Sequence, residues 1–229
     1  METRIQERAN ATHRLTLLMT MNAKVKHSPI KRLFDVCGSI ILLIVCLPLF
    51  LVISLVIKLT TSGKVIYSQV RIGRGGRPFR FLKFRTMYQD ADNQIKKILA
   101  SDPKKLQEWT LTYKLKQDPR VTPIGRFLRK TSLDELPQLW NVLKGDLSLV
   151  GPRPVVHEEI IKYFGAKATK ILSIRPGITG IWQVSGRNDT TYNTRIKLDE
   201  EYVDTQSWLL DLKILLKTIP CMISARGAY

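Results

Sequence analysis

Asp134 and Glu135 stand side by side after a basic approach of Arg126, Arg129 and Lys130, and this is where the residue types of the chain point most directly to chemistry. Ser132 and Glu135 match the S-x-x-E capping box. Leu136, Leu139, Trp140 and Leu143 would be the buried face of the helix so started, and Gly145 its stop. The free N–H groups and dipole of a first helical turn favour anions, so Asp134 should stay ionised and a phosphate could bind beside it. An ionised carboxylate can also act as a nucleophile through an aspartyl-phosphate. The plainer reading stands beside that one: acids are common in first turns, and Glu135 would merely close the box.

Cations at defined spacing supply the complementary half. Lys83 and Arg85 are two apart in a strand-like run, so their side chains share a face that could grip a diphosphate or simply be solvated. Arg153 is flanked by Pro152 and Pro154, which fix its backbone and present a guanidinium at reduced entropic cost, as a bidentate phosphate site needs. A rigid turn whose arginine covers a neighbouring helix is the alternative. Arg175, before Pro176 and Gly177, has a similar claim. Trp182, Gln183, Gly186 and Arg187 could line a nucleotide site, although a buried tryptophan followed by a turn would look the same.

The elements that must position these groups begin with a single apolar run, Val36 to Ile57. A straight helix of about 22 residues rises about 33 Å, enough for a hydrocarbon core of about 30 Å. Pro48 near its middle removes a backbone donor and clashes one turn back, so a kink could return the chain to the face it entered. Basic residues flank the run on both sides, leaving neither end as the obvious one to translocate. Lys58 to Leu133 holds 18 Lys and Arg against 5 Asp and Glu, hence +13 of the formal +18. Such a block seeks anionic lipid, phosphorylated small molecules or nucleic acid. Three cysteines, without CxxC or zinc spacing, suit a reducing compartment.

Beyond the apolar run, Lys64 to Gln69 and Phe79 to Phe84 read as strands joined through Gly73, Gly75 and Gly76 as a hairpin. Asp90 to Thr112 reads as helix broken near Pro103. Thr122 and Pro123 start another, with threonine as cap. Short strand-like pieces follow from Ile171 to Val184. Leu198 to Met222 is an amphipathic helix interrupted at Pro220.

Four ordered motifs carry a resemblance: Lys83-Phe84-Arg85-Thr86-Met87, Thr131-Ser132-Leu133-Asp134-Glu135-Leu136-Pro137-Gln138, Asn141-Val142-Leu143-Lys144-Gly145-Asp146 and Gly151-Pro152-Arg153-Pro154. From about Lys31 to Tyr229 the chain resembles the bacterial sugar transferases, the monotopic phosphoglycosyl transferases. Arg175-Pro176-Gly177-Ile178-Thr179-Gly180, Ser185-Gly186-Arg187 and Gly227-Ala228-Tyr229 are similar to the branch acting as undecaprenyl-phosphate galactose or glucose phosphotransferases.

The resemblance implies transfer of a sugar 1-phosphate from a UDP-sugar to undecaprenyl phosphate with Mg2+ and release of UMP, in exopolysaccharide, O-antigen or capsule assembly. Asp134 would be the nucleophile and Glu135 its partner, the two serving as metal ligands. Lys83, Arg85, Arg129 and Arg153 would neutralise phosphates, with Arg175, Gln183 and Arg187 also on the substrates. The membrane helix would re-enter at Pro48, although Leu47 precedes it where some members have serine. The fold expected is α/β (α+β): a mostly helical small catalytic domain with short strands, carried on one re-entrant membrane helix and amphipathic interfacial helices. Residues 1–30 would be a basic arm, 31–60 the membrane helix and 61–229 a domain on the cytoplasmic face of the bacterial inner membrane. Expected partners are the UDP-sugar, undecaprenyl phosphate and membrane lipids, without nucleic acid, and a homodimer is compatible with the pattern. The competing class is a membrane-tethered protein that binds nucleic acid or anionic lipid without catalysis, for which basic residues interleave with Phe79, Phe81 and Phe84.

Overall fold

The computed structural model describes residues 28–112, 115, 117–186 and 190–224. Its first element, α1 (Pro29–Thr60), is capped by Ser28, whose hydroxyl accepts from the Lys31 N–H at 3.3 Å, and Pro29 fits a first turn whose N–H is unpaired anyway. The helix is longer than the apolar run and continues on both sides of Pro48. It is long and apolar enough to cross a membrane. Asp35, Ser39, Leu43, Cys46, Phe50, Ile53 and Ile57 recur three or four residues apart as the stripe that is buried or half-buried. Ile40, Ile41, Ile44, Val45, Leu47, Leu51, Val52 and Leu55 are exposed on the other side.

Both ends of α1 are tied to the rest of the molecule. Near its start the Asp35 carboxylate accepts from Ser148 Oγ and from the Leu149 N–H, both at 2.9 Å, and Lys31 pairs with Asp211 at 2.5 Å. Near its end Ile53 and Ile57 form a buried cluster with Phe84 and Leu128, and the Phe50 ring lies 4.6 Å from that of Phe84. The expected boundary at residues 60/61 therefore cuts through a shared core.

A hairpin follows, β1 (Ile66–Ile72) antiparallel to β2 (Pro78–Phe84), in the register Ile66↔Phe84 to Ile72↔Pro78. The glycine-rich link makes the turn as expected, with Gly75 at φ 66. Alternation along β2 sends Phe81 into the main core and Phe84 toward α1. Helices α2 (Ala91–Ser101) and α3 (Pro103–Thr112) divide at Asp102, as Pro103 requires. Next come α4 (Pro123–Thr131), a 3-10 turn at Leu133–Glu135 and α5 (Gln138–Lys144).

Strands β3 (Ser148–Val150) and β4 (Gly177–Thr179) pair in parallel. A Cβ on Gly177 would lie 2.1 Å from the Gly151 nitrogen, so the two backbones meet only because there is no side chain there. Between them run α6 (His157–Glu159), a π-helical turn (Ile160–Phe164) and α7 (Lys167–Ile171). After β4 come α8 (Ile181–Val184), α9 (Tyr192–Thr205) and α10 (Trp208–Ser224). The main core gathers Phe81, Leu139, Val142, Val150, Tyr202, Val203 and Ile214 from β2, α5, β3, α9 and α10, with Leu147 from the link before β3.

The molecule is thus mixed helix and sheet with one long apolar N-terminal helix. Three local expectations change. Only Gly177–Thr179 is strand in the stretch to Val184, and Ile181–Val184 is helical. The C-terminal amphipathic segment breaks between Thr205 and Trp208, while Pro220 lies inside α10. The helix expected from Ser132 begins only at Gln138, because Pro137 and the 3-10 turn precede it.

Candidate active site

The approach to the acidic pair is built by local hydrogen bonding. Thr122 caps α4, its hydroxyl accepting from the Gly125 N–H at 2.9 Å. A Cβ on Gly125 would stand 2.0 Å from the Thr86 carbonyl oxygen, so glycine lets α4 press against the end of the hairpin. At the far end of α4, Ser132 adopts φ 56, ψ 16, the left-handed conformation, and makes no side-chain cap. It is the one non-glycine residue with positive φ among the described residues. Such a residue costs about 1–2 kcal/mol, and strain of this kind concentrates at functional sites. The capping-box expectation is therefore overturned: Ser132 ends one helix, and Asp134 and Glu135 lie on the tight reversal between two.

Helix α5 is fixed against the hairpin by Asn141, which is fully buried. Its Nδ2 donates to the Arg80 carbonyl at 2.7 Å and its Oδ1 accepts from the Leu82 N–H at 3.0 Å, so one side chain satisfies the β2 edge. The next strand residue is Lys83. Its ammonium reaches Glu135 Oε1 at 3.0 Å and Asp134 Oδ2 at 3.5 Å. The buried face of α5 thereby rotates to include Gln138, Asn141 and Val142, and Trp140, expected inside, is 56% exposed.

The two carboxylates are electrostatically unequal. Asp134 is 6% exposed; burial pushes its carboxyl above the usual range and the Glu135 charge adds to this, while Lys83 and Arg129 oppose. For Glu135 burial acts in the same direction, but Lys83 and Arg153 outweigh it and hold the group below the usual range. Lys83 is nearer to Glu135 than to Asp134. Asp134 is left the more basic of the two carboxylates.

Lys83, Glu135, Arg153 and Gln183, four of the expected site residues, line one cleft floored by Gly177. Arg129 is near enough for its charge to act on Asp134, and its Nε donates to Thr86 Oγ1 at 3.0 Å. Arg85 and Arg175 are not brought there. Arg85 leaves the strand end and donates to the carbonyl of Thr61, the residue that ends α1. Arg175 donates to the Gly145 carbonyl at 2.9 Å, and Arg32 donates to those of Val142 and Leu143, so two guanidiniums neutralise the negative end of α5. Arg187 lies outside the described residues, and Pro48 is exposed on α1. Motif reading missed Arg71 and Gln138, which line the same cleft. Arg71 pairs with Phe79 across the hairpin, on the face of Phe81 and Lys83, so the register was the signal that would have found it.

The donor set fits a magnesium ion carried in with a substrate better than a resident cage. Among the described residues no group of three or more His, Cys, Asp or Glu gathers. Two adjacent carboxylates are what Mg2+ usually takes from protein, the remaining positions going to phosphate oxygens and water.

Compared with known proteins, residues 26–225 match the family model for bacterial sugar transferases. The chain is 48% identical over 199 residues to the exopolysaccharide production protein ExoY of Sinorhizobium fredii, covering 87% of this chain and 88% of the relative. It is 47% identical over 221 residues to the undecaprenyl-phosphate galactose phosphotransferase of Salmonella typhimurium, covering 95% of this chain but 46% of that longer protein. It is 39% identical over 209 residues to the UDP-glucose:undecaprenyl-phosphate glucose-1-phosphate transferase of Caulobacter vibrioides, covering 87% and 72%.

Proposed function

The chain belongs to the bacterial sugar transferase family, and from that premise we propose that it transfers a sugar 1-phosphate, with galactose or glucose as the sugar, from a UDP-sugar to undecaprenyl phosphate. The observation that carries this reading is the Asp134–Glu135 reversal held by Lys83, with Lys83, Glu135 and Arg153 lining a cleft beside the buried Asp134. Asp134 Oδ attacks the sugar-bearing phosphorus, an Asp–phosphorus bond forms, and the bond to the UMP oxygen breaks. UMP leaves with the bonding pair. An oxygen of the lipid phosphate then attacks the same phosphorus and Asp134 is restored as carboxylate. Splitting the transfer this way lets one cleft take two anionic substrates in turn. Lys83, Arg129 and Arg153 neutralise charge as it develops on the phosphoryl oxygens. Asp134 and Glu135 would hold Mg2+, which when bound supplies Lewis-acid neutralisation of the diphosphate.

The membrane arrangement proposed with it is a helix that enters and leaves by one face, on the cytoplasmic side of the bacterial inner membrane. Support comes from the contacts at both ends of α1 with the same domain and from the half-buried stripe that runs its length. A helix pushed straight through a bilayer would take one of those ends away from its partners. Exposed Trp208, Leu209, Leu212, Leu216 and Ile219 on α10 make a second surface suited to the headgroup region. The product would enter exopolysaccharide, O-antigen or capsule assembly at its first membrane step.

The decisive experiment uses the full chain in detergent or nanodiscs with a UDP-sugar and no lipid acceptor. A hexose-phosphate adduct should appear by mass spectrometry on the peptide that contains Asp134, with one UMP released per adduct. Asp134→Asn should give neither while melting at the wild-type temperature. UMP release at the wild-type rate from the Asn variant would remove Asp134 as nucleophile.

A further inference from the structure

The proposed transfer uses Arg153, and two further guanidiniums, Arg71 and Arg195, lie near enough for the three charges to act on one another. Arg71 lines the cleft, its Cζ 5.7 Å from the centre of the Phe81 ring, while Lys83 Nζ lies 5.6 Å from that same ring centre. The Cζ atoms of Arg153 and Arg195 lie 5.1 and 5.2 Å from the centre of the Trp182 ring. Arg195 is only 5% exposed.

Arg71 and Arg195 are incompletely matched by their own surroundings, although Arg71 Nη2 donates to Gln69 Oε1 at 2.9 Å. The carboxylate oxygens facing Arg195 are Glu159 Oε2 at 3.7 Å from Nη1 and Asp199 Oδ2 at 3.8 Å from Nε, both beyond hydrogen-bond reach. Buried Nε and Nη2 of Arg195 and Nε of Arg71 have no hydrogen-bond partner. Burial pushes both guanidiniums below their usual range, and the charge of Arg153 pushes each further the same way. Asp199 offers limited relief, since burial raises its carboxyl to about 7. The open donors of these buried guanidiniums are hydrogen-bonding capacity that phosphate oxygens entering the cleft beside Arg71 and Arg153 can use. Arginine forks suit phosphate oxygens in particular.

We propose that Arg71 and Arg153, backed by Arg195, form a second phosphate seat, separate from the Lys83–Asp134 position where phosphorus is attacked, with Arg153 shared between the two. This rests on the phosphoryl-transfer reading and extends it by giving the cleft two phosphate positions. The ligand is a phosphate monoester or diphosphate end. It can come from the departing nucleotide or from the prenyl acceptor.

Isothermal titration of the full chain with UMP, farnesyl phosphate, pyrophosphate and uridine tests the seat and separates the sources. Arg71→Gln and Arg195→Gln should weaken at least one phosphate ligand by about tenfold or more, the scale of a lost charge-assisted hydrogen bond, and leave uridine unaffected. Arg71→Lys should recover part of the loss. A loss confined to UMP assigns the seat to the departing nucleotide, and one confined to farnesyl phosphate assigns it to the acceptor. Unchanged affinity for all three phosphates in Arg71→Gln, a variant at the cleft surface, overturns the proposal whatever happens to melting temperature. If adduct formation on Asp134 fails while pyrophosphate binding still depends on Arg71, the reaction reading falls and the seat remains.

Discussion

Lys83 sits nearer to Glu135 than to Asp134, and with the deeper burial of Asp134 this sets the two adjacent acids apart. The Glu135 carboxyl is held below its usual range and that of Asp134 is raised above it, the difference on which the proposed attack by Asp134 depends. Because Lys83 lowers the Asp134 carboxyl and burial raises it, Lys83→Met should raise it further. Asp134 would then lose its proton at higher pH, and the acidic limb of the UMP-release profile should move upward in pH. An unmoved limb would show that Lys83 does not set this ionisation. Asp199 makes a complementary prediction on stability. Its carboxyl goes from an ordinary 3.8 to about 7 on folding, so the native state binds the extra proton and its contribution falls as pH rises from 3.8 through 7. Asp199→Asn should flatten that part of the stability–pH curve, measured by urea titration at several pH values. The acidic pair and Lys83 were legible as residue types at a spacing. Arg71 was not, because its place in the cleft depends on strand register.

At the scale of elements, the decisive device is the reversal at Ser132, where α4 stops in a left-handed residue so that a single 3-10 turn can present Asp134. Ser132→Gly should keep or slightly raise stability, while Ser132→Val, branched at a positive φ, should lose about 1–2 kcal/mol in urea unfolding. Equal stability of the two variants would show that the turn is not strained. Asn141→Leu leaves the Arg80 carbonyl and the Leu82 N–H without their partner and should lose about 1–3 kcal/mol for each buried group abandoned. The cap at Thr122 and the stop at Gly145 were readable because both are settled within a few residues of chain. The start of α5 was misread for a physical reason. Its rotation is governed by a buried asparagine reaching a strand some 60 residues away, which no local capping pattern encodes.

For the whole molecule, the apolar run was visible in composition, but not what it leans on. Asp35 and Ser39 look like blemishes in a membrane helix until the first is seen receiving Ser148 and Leu149. If α1 returns to the face it entered, single cysteines beside Lys31 and Lys58, in a background lacking Cys37, Cys46 and Cys221, should both react with an impermeant reagent from the same side in spheroplasts and inverted vesicles. Opposite-side labelling would instead establish a span. The shared cluster of Ile53, Ile57, Phe84 and Leu128 has a consequence for how such an enzyme can change. A fragment beginning at residue 61 would uncover Phe84 and Leu128 on the side that Ile53 and Ile57 fill, so trimming the apolar helix would also remove part of the core behind the candidate site.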